Sequence, residues 1–172
     1  LMHALFTHLH HNTDKAVDFK AIGTLNRKVA KMFPDALIVG PGDDAAAFKF
    51  PGSRGIFVGK MESHCSPCVP RPYDAAATGA GGAMRDVVAM GARPLFLMNF
   101  IGTRPLEEKV VVGPCGFAGT CTCGKCLTMT SGERVNLMVK GLRDMCRAMD
   151  VFIVGGGFST SFSDIVPATV VS

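Results

Sequence analysis

Short apolar runs alternate with longer helical patterns along this chain, and that alternation constrains the fold more than any other feature of the sequence. The predicted strands occupy residues 36–39, 45–50, 56–62, 95–101, 151–154 and 168–172. Apolar residues recur at three- and four-residue steps in the predicted helices, which occupy residues 15–32, 74–91 and 133–149. We expect the strand at 56–62 to be buried on both faces. Strands that alternate with helices indicate an α/β or α+β layer architecture.

The length and composition favour one soluble globular domain. Of the 172 residues, 48% are hydrophobic and 19% are charged, a balance that argues against disorder. No apolar run approaches the roughly 18 residues that cross a bilayer. The first residues carry neither Lys nor Arg, which argues against a signal peptide. We therefore expect a cytoplasmic chain with a flexible lead over residues 1–14 and one domain over residues 15–172.

The charge balance favours small anionic ligands over nucleic acid. Lys and Arg number 18 against 14 Asp and Glu, a net charge of +4 that is spread along the chain. With one Tyr and no Trp, the chain has few of the aromatic side chains on which nucleic-acid bases stack. Phosphorylated small molecules fit this composition better than nucleic acid or a membrane surface.

A glycine-rich turn follows the first predicted strand. Gly40 and Gly42 would let the backbone approach a phosphate, and Asp43 begins a pair of carboxylates of the kind that bind Mg²⁺. The same run is typical of an ordinary turn, which is the favoured interpretation when the segment is taken alone.

A second motif lies at the end of the strand predicted over residues 56–62. Lys60 and Glu62 are two residues apart, so they share one face of that strand. The pair is consistent with a phosphate contact and a metal ligand. His64 follows in the next loop, where a general acid or base could meet a substrate. The alternative is an edge strand that carries a solvated ion pair.

The helix predicted over residues 74–91 is rich in glycine. Gly79, Gly81 and Gly82 each cost about 1 kcal/mol of helix stability relative to Ala, which indicates close packing or the approach of a ligand. Arg85 and Asp86 lie on the same face as Gly82. The glycine spacing differs from the dinucleotide-binding fingerprint.

These motifs together resemble the formylglycinamidine ribonucleotide synthetase family of purine biosynthesis, a group within the AIR synthase-related superfamily. The resemblance rests on residues 60–64 and 73–94, and residues 40–43 and 154–157 also fit. It implies a PurM-like N-terminal domain in which a mixed sheet is flanked by helices. It also implies a homodimer whose strands form a β-barrel. We expect the C-terminal domain of the complete proteins to be missing here, and the fragment alone to lack turnover.

The resemblance further implies a ligase that uses ATP and Mg²⁺ to amidate formylglycinamide ribonucleotide through an iminophosphate. By matching position it implies Mg²⁺ ligands at Glu62 and Asp86, ATP contacts at Lys60, Gly40, Gly42 and Asp43, substrate contacts at Ser63, Gly81, Gly82 and Arg85, and a catalytic group at His64.

One departure from the family leaves two alternatives open. The family's His-Asn-His-Pro stands here as His64, Cys65, Ser66 and Pro67. The chain could therefore belong to a kinase or synthetase of the same superfamily that acts on another substrate. It could also be a metal-binding domain that keeps the fold without turnover.

The cysteines form a separate signal. Seven cysteines without a secretory signal argue against a full disulfide framework. Cys121, Cys123 and Cys126 lie close together in a long loop predicted over residues 102–132, a spacing that suits Zn²⁺ or an iron–sulfur cluster. A fourth ligand would come from Cys115 or from the Cys65 and Cys68 pair. Cys146 is expected to be a buried small hydrophobe.

Overall fold

The computed structural model describes residues 28, 31–32, 34–40, 43–63, 70–115, 121–160 and 167–171, with backbone alone for Ser63 and residues 167–171. The chain divides into two compact units, residues 1–58 and residues 59–172. The expected lead over residues 1–14 and most of the helix predicted over residues 15–32 lie outside the described residues. Lys28, Lys31 and Met32 are helical, as predicted.

The first unit contains a short antiparallel hairpin. Strand β1 (Leu37–Val39) pairs with strand β2 (Ala46–Phe48), close to the predicted positions. Beyond β2, the rings of Phe48 and Phe50 lie 5.4 Å apart between centroids, and those of Phe50 and Phe57 lie 4.8 Å apart. These contacts form an aromatic cluster within the unit.

The second unit is built on a mixed sheet, as the sequence predicts. Strand β3 (Phe57–Ser63) continues from the first unit into the second. Strands β4 (Phe96–Thr103), β7 (Phe152–Thr160) and β8 (Pro167–Val171) complete the order β3-β8-β4-β7. Strand β8 is antiparallel to both β3 and β4, whereas β4 and β7 are parallel.

Strand β7 is longer than the predicted strand at 151–154, because the glycines after Val154 continue it instead of ending it. A Cβ added at Gly156 would collide with the carbonyl oxygen of Asn99 on β4. One added at Gly157 would lie 2.7 Å from the ring of Phe100. Glycine is therefore used here to let two strands approach closely, which the sequence pattern alone does not distinguish from a turn.

Helix α1 (Pro72–Ala89) confirms the helix predicted over residues 74–91 and starts two residues earlier. Pro72 occupies the first turn, where its missing N–H costs nothing. Asp74 places negative charge at the positive end of the helix. Gly91, with φ of +78°, lets the chain leave the helix in a left-handed conformation.

Helix α2 (Ser131–Ala148) also starts two residues before its predicted position. Thr130 and Glu133 form a reciprocal capping box, in which Glu133 N–H donates to Thr130 Oγ1 at 3.1 Å and Thr130 N–H donates to Glu133 Oε2 at 2.7 Å. The Thr-x-x-Glu spacing is the sequence signal for this start.

The two helices pack closely on each other and on the sheet. A Cβ added at Gly141 of α2 would collide with the carbonyl oxygen of Tyr73 on α1. The largest fully buried apolar side chains are Met84, Val87, Leu97 and Met138. Gly141 on α2 therefore lets the two helices come near each other as they cover one face of the sheet.

The prediction of one long loop over residues 102–132 is wrong in part. Strand β5 (Lys109–Val112) pairs antiparallel with strand β6 (Leu127–Thr130), and the two form a separate two-stranded sheet. The short apolar run of β5 stands between polar and glycine-rich segments, so its strand signal is weak. The cysteine-rich segment connects β5 to β6.

The other face of the main sheet exposes apolar side chains. On β4, Leu97 and Ile101 are buried, whereas the alternating Met98 and Phe100 are exposed. The expectation that β3 is buried on both faces is wrong, because Met61 is 73% exposed. Within the part of the chain that the structure describes, no helix has the length and apolar character needed to cross a membrane.

Candidate functional site

Strand β3 and helix α1 each contribute a carboxylate where they contact each other within the second unit. Lys60 Nζ lies 2.8 Å from Asp86 Oδ2. Glu62 Oε2 lies 2.8 Å from the position that a Cβ on Gly82 would occupy. We call Lys60, Glu62, Gly82, Arg85 and Asp86 the carboxylate site.

The local folding of the chain explains why these residues meet. Lys60 and Glu62 lie on the same face of β3 because side chains alternate along a strand. Gly82 and Asp86 are four residues apart and lie on the same face of α1. The strand and the helix therefore contribute one pair each, and the glycine leaves room for the carboxylate of Glu62 beside the helix backbone.

Asp86 is held in its charged form. It is 7% exposed, and burial acts to raise the pKa of its carboxyl. Hydrogen bonds from Lys60 and Arg85 outweigh that effect and lower the pKa of Asp86 below its usual value. The guanidinium of Arg85 donates from Nε at 3.1 Å and from Nη2 at 2.9 Å to Asp86 Oδ1.

The carboxylate site suits a divalent metal and a phosphate. Carboxylate oxygens are hard ligands of the kind that Mg²⁺ prefers, and Glu62 and Asp86 supply them from two different elements. Lys60 and Arg85 supply positive charge next to the same carboxylates, and the Arg85 side chain is 72% exposed. These donors fit Mg²⁺ with a phosphorylated ligand.

The structure also describes Gly81, Gly40, Asp43 and Ser63, which are predicted to contact nucleotide or substrate. Gly81 faces α2, where an added Cβ would lie 3.1 Å from Met145 Cε. Gly40 and Asp43 belong to the first unit, where Asp44 N–H donates to Asp43 Oδ1 at 2.9 Å within the β1–β2 connection. Ser63 ends β3, and only its backbone is described.

Four of the predicted residues are not described in the structure. His64 and Gly42 lie outside the described residues, as does the pair Cys65 and Cys68. Their assigned roles, like that of Gly81, stay predictions.

The structure brings four cysteines together between β5 and β6. The Sγ atoms of Cys115, Cys121, Cys123 and Cys126 all lie within 4.8 Å of one another. Cys115 thus joins the three predicted ligands, and we call the four residues the cysteine cluster. The cluster lies on the hairpin and is separate in sequence from the carboxylate site.

The thiols of the cysteine cluster influence one another. Hydrogen bonding with Cys123, followed by that with Cys121, raises the pKa of Cys115 to about 12. Hydrogen bonds from the side chain and the backbone of Cys123 lower the pKa of Cys121 to about 6. Cys121 therefore has a lower thiol pKa than Cys115. Cys146 is separate from the cluster and buried on α2, as predicted, and burial raises the pKa of its thiol.

A buried polar group near the hairpin was not predicted from the sequence. Thr103 and Ser131 are fully buried, and their hydroxyl oxygens lie 2.7 Å apart. Arg134 is 1% exposed and donates from Nη2 to Ser131 Oγ at 3.5 Å. Ser131 Oγ also donates to the carbonyl oxygen of Arg104 at 3.3 Å. No local pattern marks these residues, because β4 and α2 meet only in the folded chain.

A cleft of about 430 Å³ lies in the first unit. Its lining includes Met32, Asp35, Lys49 and Phe50. None of the described residues predicted for ATP, substrate or metal lines it.

Comparison with known proteins places this architecture in context. The curated phosphoribosylformylglycinamidine synthase subunit PurL of Methanosarcina mazei is 43% identical over 93 residues, an alignment that covers 49% of this chain and 13% of that protein. The same subunit of Pyrococcus abyssi is 45% identical over 87 residues, with 49% and 12% covered. The chain spans only about an eighth of the length of the curated relatives that it matches.

Solved structures share the fold. PurLQS from Thermotoga maritima superposes with a TM-score of 0.61 at 15% identity, over 84% of this chain and 23% of that one. Thiamine monophosphate kinase from Aquifex aeolicus superposes with a TM-score of 0.54 at 12% identity, over 86% and 41%. T. maritima PurL, solved in complex with ADP, gives a TM-score of 0.56 at 21% identity, over 83% and 20%.

The sequence profile of the family described as "AIR synthase related protein, N-terminal domain" matches residues 42–172. That range is well over half of the chain and includes the carboxylate site, both helices and all strands from β2 onward. The mixed sheet with flanking helices, the PurL relatives and the shared fold of the solved structures agree with the profile. This chain therefore belongs to the family of AIR synthase related proteins and carries its N-terminal domain.

Proposed function

We propose that this chain is the ATP-binding part of a phosphoribosylformylglycinamidine synthase-like ligase that amidates formylglycinamide ribonucleotide. The observation that carries the proposal is the carboxylate site, in which Lys60 pairs with Asp86 at 2.8 Å while Glu62 lies against Gly82. The PurL relatives are about 43% identical over the aligned half of the chain. A cytoplasmic location and one domain over residues 15–172 belong to the same proposal.

The proposed cofactors are ATP and Mg²⁺. T. maritima PurL has been solved in complexes with ADP, with ATP and with FGAR, and these complexes support the assignment by analogy. Glu62 and Asp86 would hold the metal, and Lys60 would contact ATP phosphates. Gly40, Gly42 and Asp43 would add contacts to the nucleotide.

Physical chemistry supports these roles. Bound Mg²⁺ would draw charge from phosphate oxygens, which is what phosphoryl transfer requires. Asp86 stays ionised at neutral pH because Lys60 and Arg85 lower its pKa. Arg85 is exposed enough to reach a substrate phosphate, and Ser63, Gly81 and Gly82 would complete the substrate contacts. His64 would exchange a proton with the formamide group.

The direct test is calorimetric titration of Mg·ATP into the chain, with and without formylglycinamide ribonucleotide. We expect binding that strengthens when the ribonucleotide is present. Glu62→Gln and Asp86→Asn should each weaken Mg·ATP binding at least about tenfold. Asp150→Asn is the matched control, because Asp150 is exposed and has a φ of 54°, a conformation that Asn tolerates.

Two results would contradict the proposal. If both Glu62→Gln and Asp86→Asn bind Mg·ATP with wild-type affinity, the carboxylate site does not bind the nucleotide. A folded wild-type chain that binds neither ligand, even when joined to the rest of its protein, would favour the non-catalytic alternative.

Homodimerisation is part of the same proposal. The exposed apolar side chains of the sheet include Met61, Met98 and Phe100, and a second copy of this sheet would cover them. Sedimentation should therefore give a dimer, and Phe100→Glu should give a folded monomer. A wild-type monomer at high concentration would refute the dimer without affecting the nucleotide site.

An alternative function is that of a member of the same family that acts on a different substrate. The substitution of the family's Asn-His by Cys65 and Ser66 next to His64 favours a kinase or synthetase that acts on another compound. The fold shared with thiamine monophosphate kinase is compatible with that chemistry. Binding of Mg·ATP that formylglycinamide ribonucleotide does not strengthen would select this alternative.

A further inference from the structure

The cysteine cluster lies at the open end of the β5–β6 hairpin. Cys115 follows β5, and the other three cysteines precede β6. Each strand has four residues, and an isolated two-stranded hairpin is marginally stable in water. Strand pairing alone therefore gives little stability to the segment between them.

The sulfur positions match the coordination shell of a single metal ion. Cys121 Sγ and Cys123 Sγ lie 3.1 Å apart, Cys115 Sγ and Cys123 Sγ lie 3.5 Å apart, and Cys123 Sγ and Cys126 Sγ lie 3.9 Å apart. Four sulfurs bound tetrahedrally to one zinc at about 2.3 Å stand ~3.8 Å from one another. In an iron–sulfur cluster the four thiolates are divided among two or four iron atoms, so the sulfurs on different irons stand farther apart. The observed separations favour one metal ion.

The backbone is shaped to present these sulfurs. Gly113 has a φ of +136°, and an added Cβ there would lie 2.8 Å from Cys126 Sγ. Gly124 has a φ of +68° and turns the chain between Cys123 and Cys126. Gly113 is thus required because a side chain there would collide with Cys126. Both Gly113 and Gly124 are also required because their φ angles are positive, which favours glycine.

Backbone N–H groups also point at the sulfurs. The amide of Cys115 donates to Cys126 Sγ at 3.3 Å, that of Cys123 to Cys121 Sγ at 3.4 Å, and that of Lys125 to Cys123 Sγ at 3.4 Å. Such donors orient metal-bound thiolates and stabilise their charge. Three N–H···S bonds to three different sulfurs are an observation independent of the clustering itself.

We propose that Cys115, Cys121, Cys123 and Cys126 bind one Zn²⁺ in a closed structural site that fixes the hairpin. Four thiolates fill a tetrahedral shell and leave no position for a substrate, so the site is structural and not catalytic. Binding converts thiols to thiolates and releases their protons to solvent, with no change in oxidation state. The hairpin in turn adjoins α2, because Ser131 N–H donates to the Glu108 carbonyl at 2.8 Å.

The first experiment measures metal in the anaerobically purified chain by inductively coupled plasma mass spectrometry. We expect one zinc per chain in the wild type and its loss in Cys123→Ser, since Cys123 lies closest to its neighbours. Cys146→Ala is the matched control and should keep the zinc, because Cys146 is buried on α2 apart from the cluster. The double variant Cys65→Ser/Cys68→Ser should also keep it.

A second measurement does not depend on whether a variant folds. X-ray absorption at the zinc edge of the wild type should give four sulfur neighbours at about 2.3 Å. Removal of zinc with a chelator should abolish hydrogen-exchange protection in β5 and β6 while protection in α1 and β4 persists.

The proposal is overturned by a wild-type chain without stoichiometric zinc, by the visible spectrum of a sulfide-bridged iron cluster, or by a zinc shell containing nitrogen or oxygen. Loss of zinc from the Cys65→Ser/Cys68→Ser variant would mean that Cys65 or Cys68 is a zinc ligand, contrary to the proposal. Each outcome is independent of ATP binding, so the zinc site and the proposed ligase function can fail separately.

Discussion

The carboxylate of Glu62 lies against the backbone of helix α1 at Gly82, where an added Cβ would come within 2.8 Å of Glu62 Oε2. Glycine at position 82 is therefore needed for Glu62 to keep this position, because a larger side chain there would displace the carboxylate. This contact gives a physical reason for an interior helix glycine that otherwise lowers helix stability.

Gly82→Ala should impair Mg·ATP binding more than it impairs folding. The added methyl group displaces the Glu62 side chain, whereas Ala recovers up to about 1 kcal/mol of helix propensity. We expect at least about a tenfold loss of affinity by calorimetry, with a urea midpoint close to that of the wild type. Gly132→Ala on α2 is the binding control, because its Cβ meets its nearest atom at 3.4 Å. Unchanged affinity for Mg·ATP in Gly82→Ala would mean that Glu62 is not a metal ligand.

Lys60→Met should raise the pKa of Asp86. Burial alone favours the neutral acid, and hydrogen bonds from Lys60 and Arg85 reverse that effect. In the wild type Asp86 stabilises the fold above its unfolded pKa of about 3.9, and that stability is lost as pH falls through the lower folded pKa. In Lys60→Met the loss of folding stability on acidification should begin at a higher pH than in the wild type. Carbon NMR of the Asp86 carboxyl measures the midpoint directly.

The control for this titration is Lys109→Met, which removes an exposed lysine at the start of β5. It should leave the Asp86 midpoint unchanged. An equal midpoint in Lys60→Met and in the wild type would mean that Arg85 alone sets the charge of Asp86.

Gly141→Ala should destabilise the fold without any role in ligand binding. A Cβ there collides with the carbonyl oxygen of Tyr73, which belongs to the backbone of the facing helix and cannot rotate away. Overpacking of this kind costs about 1–3 kcal/mol, measurable as a lower urea midpoint. Gly132→Ala on the same helix should change the midpoint much less. Equal midpoints for the two variants would refute the close helix contact.

Ser131→Ala should also destabilise the fold, because the buried hydroxyl of Thr103 and the guanidinium of Arg134 both interact with Ser131 Oγ. Removing one partner of a buried polar group costs about 1–3 kcal/mol. Thr128→Ala, on the exposed part of β6, is the control. Thermal unfolding of the two variants would distinguish a structural network from a coincidental contact, since the latter predicts equal melting temperatures.

Much of the fold could be predicted because its signals are local. The glycine-rich helix has apolar periodicity and a proline at its start, and the Thr130 to Glu133 spacing marks the second helix. The run after Val154 is predicted to end the strand but continues it, because glycine serves equally for turns and for close strand contacts. The β5–β6 hairpin is not predicted, because its strands are short and their pairing is visible only across the cysteine segment.

The carboxylate site was predictable in part for the same reason. Lys60 and Glu62 alternate with Met61 along a strand, and Gly82 and Asp86 are one helical turn apart, so each pair could be assigned to one face. Which strand would meet which helix depended on the family resemblance. The choice of Cys115 as the fourth member of the cysteine cluster required three-dimensional distances, since sequence spacing left the Cys65 and Cys68 pair equally available.

The pairing of β3 with β8 has a consequence for how the chain matures on the ribosome. Lys60 and Asp86 leave the exit tunnel before β8 does, yet Lys60 on β3 pairs in register with Val170 on β8. Strand β3 can therefore reach its final hydrogen bonding only after β8 has been synthesised. A ribosome stalled before residue 167 should carry a nascent chain with helix α1 formed and β3 still open to a chaperone.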